Sequence, residues 1–491
     1  MLLILLTIFT ADAGSLDLLE VGGSWGTPGA TNPTAIWWNP SGIAVGGGTQ
    51  FLVEGAPVLA TINYDRTSPD YGEPVDLDGD GTPDPYDYGG KDTLKFTGAI
   101  PFVGVSSNFG IDGLGLGLSL HVPFARGGSE EVPNSSGSYN LIDGNIQSVH
   151  TAIAAAYKVQ DWLAVGVSGT LVDHTWTATT NVAALNDFQD LAQDFPELVR
   201  PTFYDQQFED PGYSTTLKLG PLKDRALTFG AGITVTPMDM VSIAVGYNHG
   251  YEVVNEGNVQ FQTGCAPDTD GLTKTAMEGY GLCESTIDGT GSITYRYPSR
   301  VNAGIVLKPM PSLRLEAMGG WVGWSAFTDY NIKTFVEPEA VTESLSEEGA
   351  EISANLLTQN RQWARDTRNS GWFAIDGKVQ ANPIFLVGGR VLYDHAAIPD
   401  SALSTNNYDA NTVAISALAA VGPLGPITIG VSGEQQFLAT RTVTDSAFGL
   451  RLDPEQRNQD RYYFPSSNGT YSGGITRLGV SIQGSFGGTA D

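Results

Sequence analysis

An aspartate-rich segment is the strongest candidate for chemistry in this sequence. Its twelve residues, 76–87, place carboxylates at positions 1, 3, 5, 9 and 12, with a glycine at position 6 where the chain must turn sharply. A calcium ion needs about six to eight oxygen ligands from alternate residues, and this spacing provides them. The predicted ligands are Asp76, Asp78, Asp80, Asp84, Asp87 and the backbone carbonyl of Thr82. Pro83 and Pro85 exclude the helix that would follow in an EF-hand, and the alternative is an acidic solvated loop without metal.

The two cysteines of the chain are the second candidate. Cys265 and Cys283 both lie in a Gly-, Asp- and Thr-rich stretch between strand-like segments. In an exported protein, such an even pair predicts one disulfide in a loop. Metal binding by two isolated cysteines is the less favoured alternative.

The histidines are the remaining candidates for catalysis. They are His121, His150, His174, His249 and His395. A lipid hydrolase built on a barrel would need a histidine and a serine together on the outer wall, with an orienting partner. Nothing in the spacing requires that arrangement. We therefore expect no enzyme, no catalytic residue and polar lining roles for His121 and His150.

The elements that must carry these residues show period-two alternation. In the run 163–171, the odd positions are large and apolar and the even positions are small or polar. The same pattern recurs in the runs 227–235, 241–248, 301–307, 373–379, 427–431 and 478–486. Each run approaches the ~9–11 residues that a tilted strand needs to cross a membrane. No internal stretch has the ~18 consecutive apolar residues of a membrane helix.

The second face of these strands is small and polar, with scattered charges. Arg314, Glu316 and Arg390 all fall on it, which suits a lumen better than the surface of a soluble sandwich. The connections alternate between short turns and long loops, and counting the strands between them gives about fourteen. The sequence therefore predicts an all-β fold: a transmembrane antiparallel β-barrel of about fourteen strands, with an N-terminal hatch inside the lumen.

The N-terminal residues divide into two parts. Residues 1–13 have an apolar run followed by Ala-x-Ala, which predicts a secretory signal peptide. Residues 14–47 lack alternation and contain Trp37 and Trp38, which are costly to leave in water, so we expect this part to fill the barrel as a hatch. Buried hatch backbone would then need polar partners from the lumen, such as Arg314, Glu316 and Arg390.

The remaining predicted boundaries are a barrel over residues 48–486 and a C-terminal tail over 487–491. A long loop also has apolar residues at helical spacing, which would form a groove for a greasy ligand or pack on the barrel rim. The groove residues are Leu185, Phe188, Leu191 and Phe195. The net charge of −29 excludes nucleic acid as a partner, because phosphate binding needs concentrated basic charge.

At the N-terminus the run Ala35–Ala44, with Trp37-Trp38-Asn39-Pro40-Ser41-Gly42 at its centre, resembles the hatch of the FadL-type outer-membrane transporters for long-chain fatty acids and other hydrophobic compounds. Ser41 stands where the family has alanine in its Asn-Pro-Ala motif. The segments 297–301, 321–327 and 389–394 are similar to later strands of that family, in the same order. We expect Pro40 to fix a bend after Asn39, and Gly42 to let the chain pass close to the wall.

The resemblance implies passive uptake across the bacterial outer membrane. The ligand would enter at an external groove, reach an inner pocket, and leave through a lateral opening after the hatch rearranges. The implied partners are outer-membrane lipid, the barrel assembly machinery that reads the final strand at Phe486, and a hydrophobic ligand such as a long-chain fatty acid. No cofactor is implied for transport, although structural calcium is predicted at 76–87. A plugged or polar-solute porin is the second interpretation, and a barrel lipid hydrolase is the third.

Overall fold

The computed structural model describes residues 21–67, 89–130, 137–183, 214–265, 271–341, 347–446 and 467–487. Three predicted features lie outside the described residues: the signal peptide 1–13, the calcium loop 76–87, and the loop groove at Leu185, Phe188, Leu191 and Phe195. Of the predicted tail, only Gly487 is described.

One antiparallel sheet makes up most of the described chain. Its segments are β1 (Thr49–Arg66), β2 (Gly90–Ser107), β3 (Leu114–Glu130), β4 (Asp143–Gln160), β5 (Leu163–Ala183), β6 (Ser214–Met238), β7 (Val241–Asn248), β8 (Tyr251–Thr263), β9 (Thr286–Tyr297), β10 (Arg300–Met310), β11 (Leu313–Val322), β12 (Asp329–Phe335), β13 (Asn360–Ala364), β14 (Ser370–Asn382), β15 (Phe385–Asp394), β16 (Thr412–Leu424), β17 (Ile427–Val443) and β18 (Gly469–Phe486).

The sheet closes on itself as a barrel. β1 pairs with β2 on one side and with β18 on the other, where Thr49 lies opposite Phe486. Four strands are each interrupted once, so that β7 and β8, β9 and β10, β11 and β12, and β13 and β14 each continue one strand. The described segments therefore form fourteen strands, as the sequence predicts.

The alternation of the sequence determines which face meets lipid. On β5, Val167 is 59% exposed on the outer wall, whereas the side chain of Ser168 is 7% exposed towards the lumen. The charged residues Arg314, Glu316 and Arg390 are also buried inside. An apolar outer band and a polar inner face are the arrangement that a membrane barrel requires, because only the outside contacts hydrocarbon.

Two strands are longer than the sequence indicates. β5 continues to Ala183 and β6 begins at Ser214, well beyond the alternating runs 163–171 and 227–235. Gly220 and Pro221 interrupt the alternation and therefore suggest a loop, but the structure accommodates them as an irregularity in the pairing of β6 with β5 and β8. These strands consequently project beyond their apolar portions.

Helices are few and short. Among the described residues the α-helices are α1 (Ala35–Trp38), α2 (Gly42–Gly46), α3 (Gly271–Gly279) and α4 (Glu347–Leu357). In the described part of the chain, none of them has both the length and the apolar character to span a bilayer. Residues 21–47, named here the N-terminal segment, contain α1 and α2 and lie inside the barrel, where almost all of their side chains are buried.

Candidate functional site

The first half of the N-terminal segment is held by charged side chains of the wall. Arg314 on β11 donates to the carbonyl oxygen of Gly29 at 3.1 Å, and Glu316 accepts the Gly29 N–H at 2.9 Å. Arg390 on β15 donates to the carbonyl oxygen of Gly26 at 3.0 Å. Each arginine is also paired with a carboxylate, Arg314 with Glu316 at 2.8 Å and Arg390 with Asp376 at 3.3 Å. The lumen charges therefore satisfy buried backbone, as the sequence analysis predicts.

A second anchor was missed by the sequence analysis. Trp25 donates its indole N–H to Ser481 Oγ at 2.8 Å, and Arg477 pairs with Glu54 at 2.7 Å beside Gly23. A Cβ at Gly23 would lie 2.0 Å from both side chains of that ion pair, so the backbone rests directly on it. Glu54 occupies a lumen position in the alternation of β1, and that position was the signal that could have found it.

The motif around Asn39 fastens the second half of the segment. Asn39 donates to Thr234 Oγ1 on β6 at 2.9 Å, and Ser41 donates to Asn39 Oδ1 at 2.7 Å. The Ser41 hydroxyl is also 2.8 Å from Thr234 Oγ1, which closes a triangle of three buried side chains. Since alanine could not make these two bonds, Ser41 ties the motif to the wall in a way that the family's alanine cannot.

Glycines on the wall set how close the segment lies. A Cβ added at Gly246 would be 1.9 Å from the Trp38 carbonyl oxygen, and one at Gly166 would be 2.5 Å from the backbone of Pro40. Gly42 has a different role from the one predicted: its Cβ would meet the Ala30 carbonyl oxygen at 2.2 Å. It therefore permits close packing within the N-terminal segment rather than against the wall.

Trp37 and Trp38 are both buried, as their lack of alternation predicts. The Trp37 ring packs against His121 at 5.3 Å and His150 at 5.5 Å between ring centroids, and the guanidinium of Arg300 lies 5.6 Å from its centroid. Trp38 donates its indole N–H to the Val21 carbonyl oxygen at 2.8 Å. The two histidines thus line the lumen, where they contact the N-terminal segment.

A layer of aromatic side chains fills the part of the lumen next to Trp37. Phe124 stacks on Tyr297 at 4.5 Å, and Trp176 meets Tyr330 edge to face at 4.5 Å. The other members are Tyr251, Tyr295, Trp324 and Phe327. Trp324 and Phe327 lie where the strand of β11 and β12 is interrupted, so simple alternation does not assign them to the lumen.

A cavity occupies the lumen beside this layer, with about 1320 Å³ of empty space including the part that is open to solvent. Most of its wall is apolar, and the main apolar contributors are Val58, Ile62, Leu94, Phe96, Ile100, Leu141, Ile146, Trp176, Leu392, Leu438 and Ile475. A few polar side chains interrupt this surface, among them Arg126, Asp394 and Glu434. An apolar cavity with few polar groups is the usual form of a site for a small hydrophobic ligand.

The ladder between two strands of the wall is interrupted beside this cavity. β2 and β3 pair at Lys95 with Ser129 and at Phe102 with His121, but residues 96–101 and 122–128 between these points do not pair. We name this interruption in the pairing the β2–β3 gap. Pro101 and Pro123 lie in it and have no N–H to donate to a ladder. Several residues of the gap also line the cavity, namely Phe96, Ile100, Ala125, Arg126 and Gly127.

The connection between β15 and β16, residues 395–411, folds over the cavity. Thr405, Asn406 and Tyr408 of this segment line the cavity, and Arg126 donates to the Tyr408 carbonyl oxygen at 3.0 Å. The segment is held in its own fold by the Asp409 carboxylate, which accepts the N–H groups of Ala397 and Ile398. Burial raises the pKa of Asp409, and these two N–H groups partly offset that effect by stabilising the ionised form.

Cys265 and Cys283 form a disulfide in the connection between β8 and β9, as predicted. Among the residues that the structure describes, no group of three or more potential ligands could hold a metal ion. The predicted calcium ligands lie in the loop 76–87, outside the described residues.

The fold and the site together define a class: a membrane β-barrel whose lumen holds an N-terminal segment and an apolar cavity beside an interruption in the pairing of the wall. The family described as "Outer membrane protein transport protein (OMPP1/FadL/TodX)" matches residues 25–410. The chain belongs to this family and is an outer-membrane protein.

Solved structures share the fold at low sequence identity. A Pseudomonas aeruginosa FadL homologue aligns with a TM-score of 0.71 at 18% identity, over 97% of this chain and 100% of that one. The Pseudomonas putida toluene transporter TodX aligns with a TM-score of 0.60 at 13% identity, over 97% and 96%. The Ralstonia pickettii toluene transporter TbuX gives 0.56 at 14%, over 93% and 94%. No curated protein sequence matches the chain significantly.

Proposed function

We propose that this protein is a passive channel for the uptake of long-chain fatty acids or other hydrophobic compounds across the outer membrane. The ligand binds in the cavity and leaves sideways through the β2–β3 gap into the lipid. The N-terminal segment acts as a hatch that blocks the direct route to the periplasm. No energy source, cofactor or catalytic residue takes part.

The observation that carries this proposal is the shared lining of the cavity and the gap. Phe96 and Ile100 on β2 and Ala125 on β3 belong to both. A molecule in the cavity therefore reaches the wall opening without crossing the charged contacts around Gly26 and Gly29. Apolar ligands gain about 25 cal/mol for each Å² of surface kept from water, and this route keeps them on apolar surface.

The level of the gap also favours release into lipid. On the outer face of β2, Val105 and Val103 are exposed and apolar, whereas Thr97 and Lys95 are exposed and polar. Residues 96–101 lie at the boundary between the apolar part and the polar part of the outer face of β2. A ligand that leaves here arrives at the edge of the hydrocarbon region, where an amphipathic molecule is most stable.

Two of the similar structures are of toluene transporters, and a third is of a FadL homologue. Two arginines line the cavity, and Arg390 is paired with Asp376. Arg126 has no carboxylate partner among the described residues, which favours a ligand with an acidic group over a plain hydrocarbon. Long-chain fatty acids are therefore the ligand class that we propose first for this chain.

A polar-solute porin fits the described residues less well. The N-terminal segment and the aromatic layer occupy the lumen, so a sugar would have no continuous aqueous path.

A lipid hydrolase also fits the described residues less well. Ser119 lies beside His121 at 3.2 Å and Ser148 beside His150 at 3.0 Å, but both pairs are buried against Trp37, away from lipid.

The remaining parts of the proposal concern assembly and partners. Residues 1–13 direct export and are removed, and outer-membrane lipid surrounds the apolar band. The barrel assembly machinery recognises the last strand, which ends at Phe486 before the short tail. Structural calcium at Asp76, Asp78, Asp80, Thr82, Asp84 and Asp87, and ligand capture at Leu185, Phe188, Leu191 and Phe195, complete the extracellular side.

The experiment that tests lateral exit is a crosslink across the gap. In the variant Ala99→Cys, Ala125→Cys, a short bifunctional thiol reagent would join the two strands across the opening. We expect the crosslinked protein to bind a radiolabelled long-chain fatty acid in detergent as before, but to lose most of its uptake in cells. Reducing or omitting the reagent should restore uptake.

The matched control is Val105→Cys, Leu118→Cys, because these residues are already opposite each other in the β2–β3 ladder. A crosslink at this position should change neither binding nor uptake. Undiminished uptake after complete crosslinking at 99 and 125 would rule out the lateral route.

A further inference from the structure

Arg126 is unusual among the lumen arginines. Arg314 and Arg390 each have a carboxylate partner and donate to the N-terminal segment, although Arg390 also lines the cavity. Arg126 lines the cavity, and its one described hydrogen-bond acceptor is the carbonyl oxygen of Tyr408. Among the described carboxylates, none lies within salt-bridge distance of its guanidinium, although Asp409 is near enough to attract it.

The surroundings of Arg126 do not supply the missing negative charge. Asp409 already accepts two backbone N–H groups through Oδ2. The cavity carboxylates Asp394 and Glu434 come from β15 and β17, and neither reaches Arg126. A partly buried cation without an anion is costly, so a site of this kind favours a ligand that brings one.

A second cation adds to the positive field. Arg365 is 1% exposed, and its guanidinium lies 4.2 Å from the ring centroid of Tyr330. Two of its nitrogen atoms, Nε and Nη2, have no hydrogen-bond partner among the described residues. Tyr330 in turn packs edge to face on Trp176, which lines the cavity. The wall behind Arg126 is therefore aromatic and positively charged, with no described carboxylate paired to either arginine.

We propose that Arg126 selects ligands with an acidic head group, and that the head group replaces the Tyr408 carbonyl oxygen on the guanidinium. The inference rests on the proposed function, because it assumes that the cavity holds the ligand. A carboxylate would gain charge-assisted and bidentate hydrogen bonds that a carbonyl cannot match. The apolar chain would then extend over Ile62 and Phe96 towards the gap.

The exchange has a consequence for the segment 395–411. Its contact with Arg126 is given up when the head group binds, while Arg441 still donates to the Asp409 carbonyl oxygen at 2.7 Å and pairs with Asp400. Occupancy by an acid therefore loosens the cavity side of this segment and leaves its outer side fastened. A neutral ligand of the same length leaves Arg126 on Tyr408.

The test compares palmitic acid with hexadecanol, which have the same chain length and differ in the head group. Radiolabelled ligands are bound to the full chain in detergent, with folding of each variant checked by heat-modifiable gel mobility. Arg126→Gln should weaken palmitic acid binding about tenfold or more and change hexadecanol binding less than about twofold. Arg126→Lys keeps the charge and should retain part of the preference for the acid.

The matched control is Arg441→Gln. Arg441 also donates to a carbonyl of the 395–411 segment, but it does not line the cavity. This variant should leave the preference for the acid unchanged.

In the unchanged protein, hydrogen exchange in residues 400–410 should rise with palmitic acid and stay constant with hexadecanol.

The outcomes distinguish a failure of the role of Arg126 from a failure of the proposed function. Equal binding of acid and alcohol by the unchanged protein would overturn the role of Arg126 and leave the proposed function standing. An equal loss of both ligands in Arg126→Gln would also overturn it, since the residue would then only support the fold. If the unchanged protein binds neither ligand, the proposed function itself is contradicted.

Discussion

The carboxylate of Glu316 accepts the backbone N–H of Gly29 at 2.9 Å, although the two residues are 287 positions apart in the chain. The neighbouring Arg314 holds the carbonyl oxygen of the same residue. One residue of the N-terminal segment is therefore held through both its N–H and its carbonyl oxygen by an ion pair of β11. This contact connects the barrel wall to the element that we propose as the hatch.

Removing this carboxylate should loosen the N-terminal segment. Glu316→Ala takes away one of the two carboxylates beside Arg314 and leaves the Gly29 N–H without its acceptor. Breaking a buried pair on one side costs about 3–5 kcal/mol, and the barrel ladders remain intact. We expect a folded barrel with a raised planar-bilayer conductance. Glu252→Ala, on the exposed face of β8, should conduct like the unchanged protein, and equal conductance of the two variants would contradict the account.

A methyl group at Gly246 should displace the second half of the N-terminal segment. The Cβ of Gly246→Ala would lie 1.9 Å from the Trp38 carbonyl oxygen, so one of the two backbones must move. We expect increased conductance and faster proteolysis within residues 21–47. Gly169→Ala is the matched control, because a Cβ at that position has no atom within 4 Å. If both variants behave alike, close packing at Gly246 does not hold the segment.

The aspartate-rich loop should bind calcium. Ligand charge strongly affects affinity in such loops, so Asp78→Ala, Asp80→Ala should reduce calcium binding at least tenfold in titration calorimetry. The variant Asp173→Ala, which removes an exposed carboxylate on β5, should titrate like the unchanged protein. Unaltered calcium affinity in the double variant would reject the site.

The barrel could be predicted from the sequence because the environment of a membrane strand restricts the type of residue at each of its positions. In β5 the outer positions must be apolar and the inner positions small or polar, and this constraint is local. The charged residues Arg314, Glu316 and Arg390 could be assigned to the lumen for the same reason. Their contact with the N-terminal segment follows from the need to satisfy buried backbone.

The aromatic layer and the gap could not be predicted in this way. Trp324 and Phe327 face the lumen because a strand is interrupted there, and nothing in their immediate sequence requires the interruption. The β2–β3 gap depends on Pro101 and Pro123 coming to lie between the same two strands, which is a property of register. The packing of Gly42 on Ala30 likewise depends on how the segment folds on itself.

The central claim is that the N-terminal segment closes the direct route through the lumen. Its most direct test is the planar-bilayer conductance of a variant that lacks residues 16–44. The strands β1 to β18 lie outside the deletion, so the barrel should fold, and small ions should pass through the vacated lumen at a conductance well above that of the intact protein. A deletion variant that folds and conducts no more than the intact protein would contradict the claim.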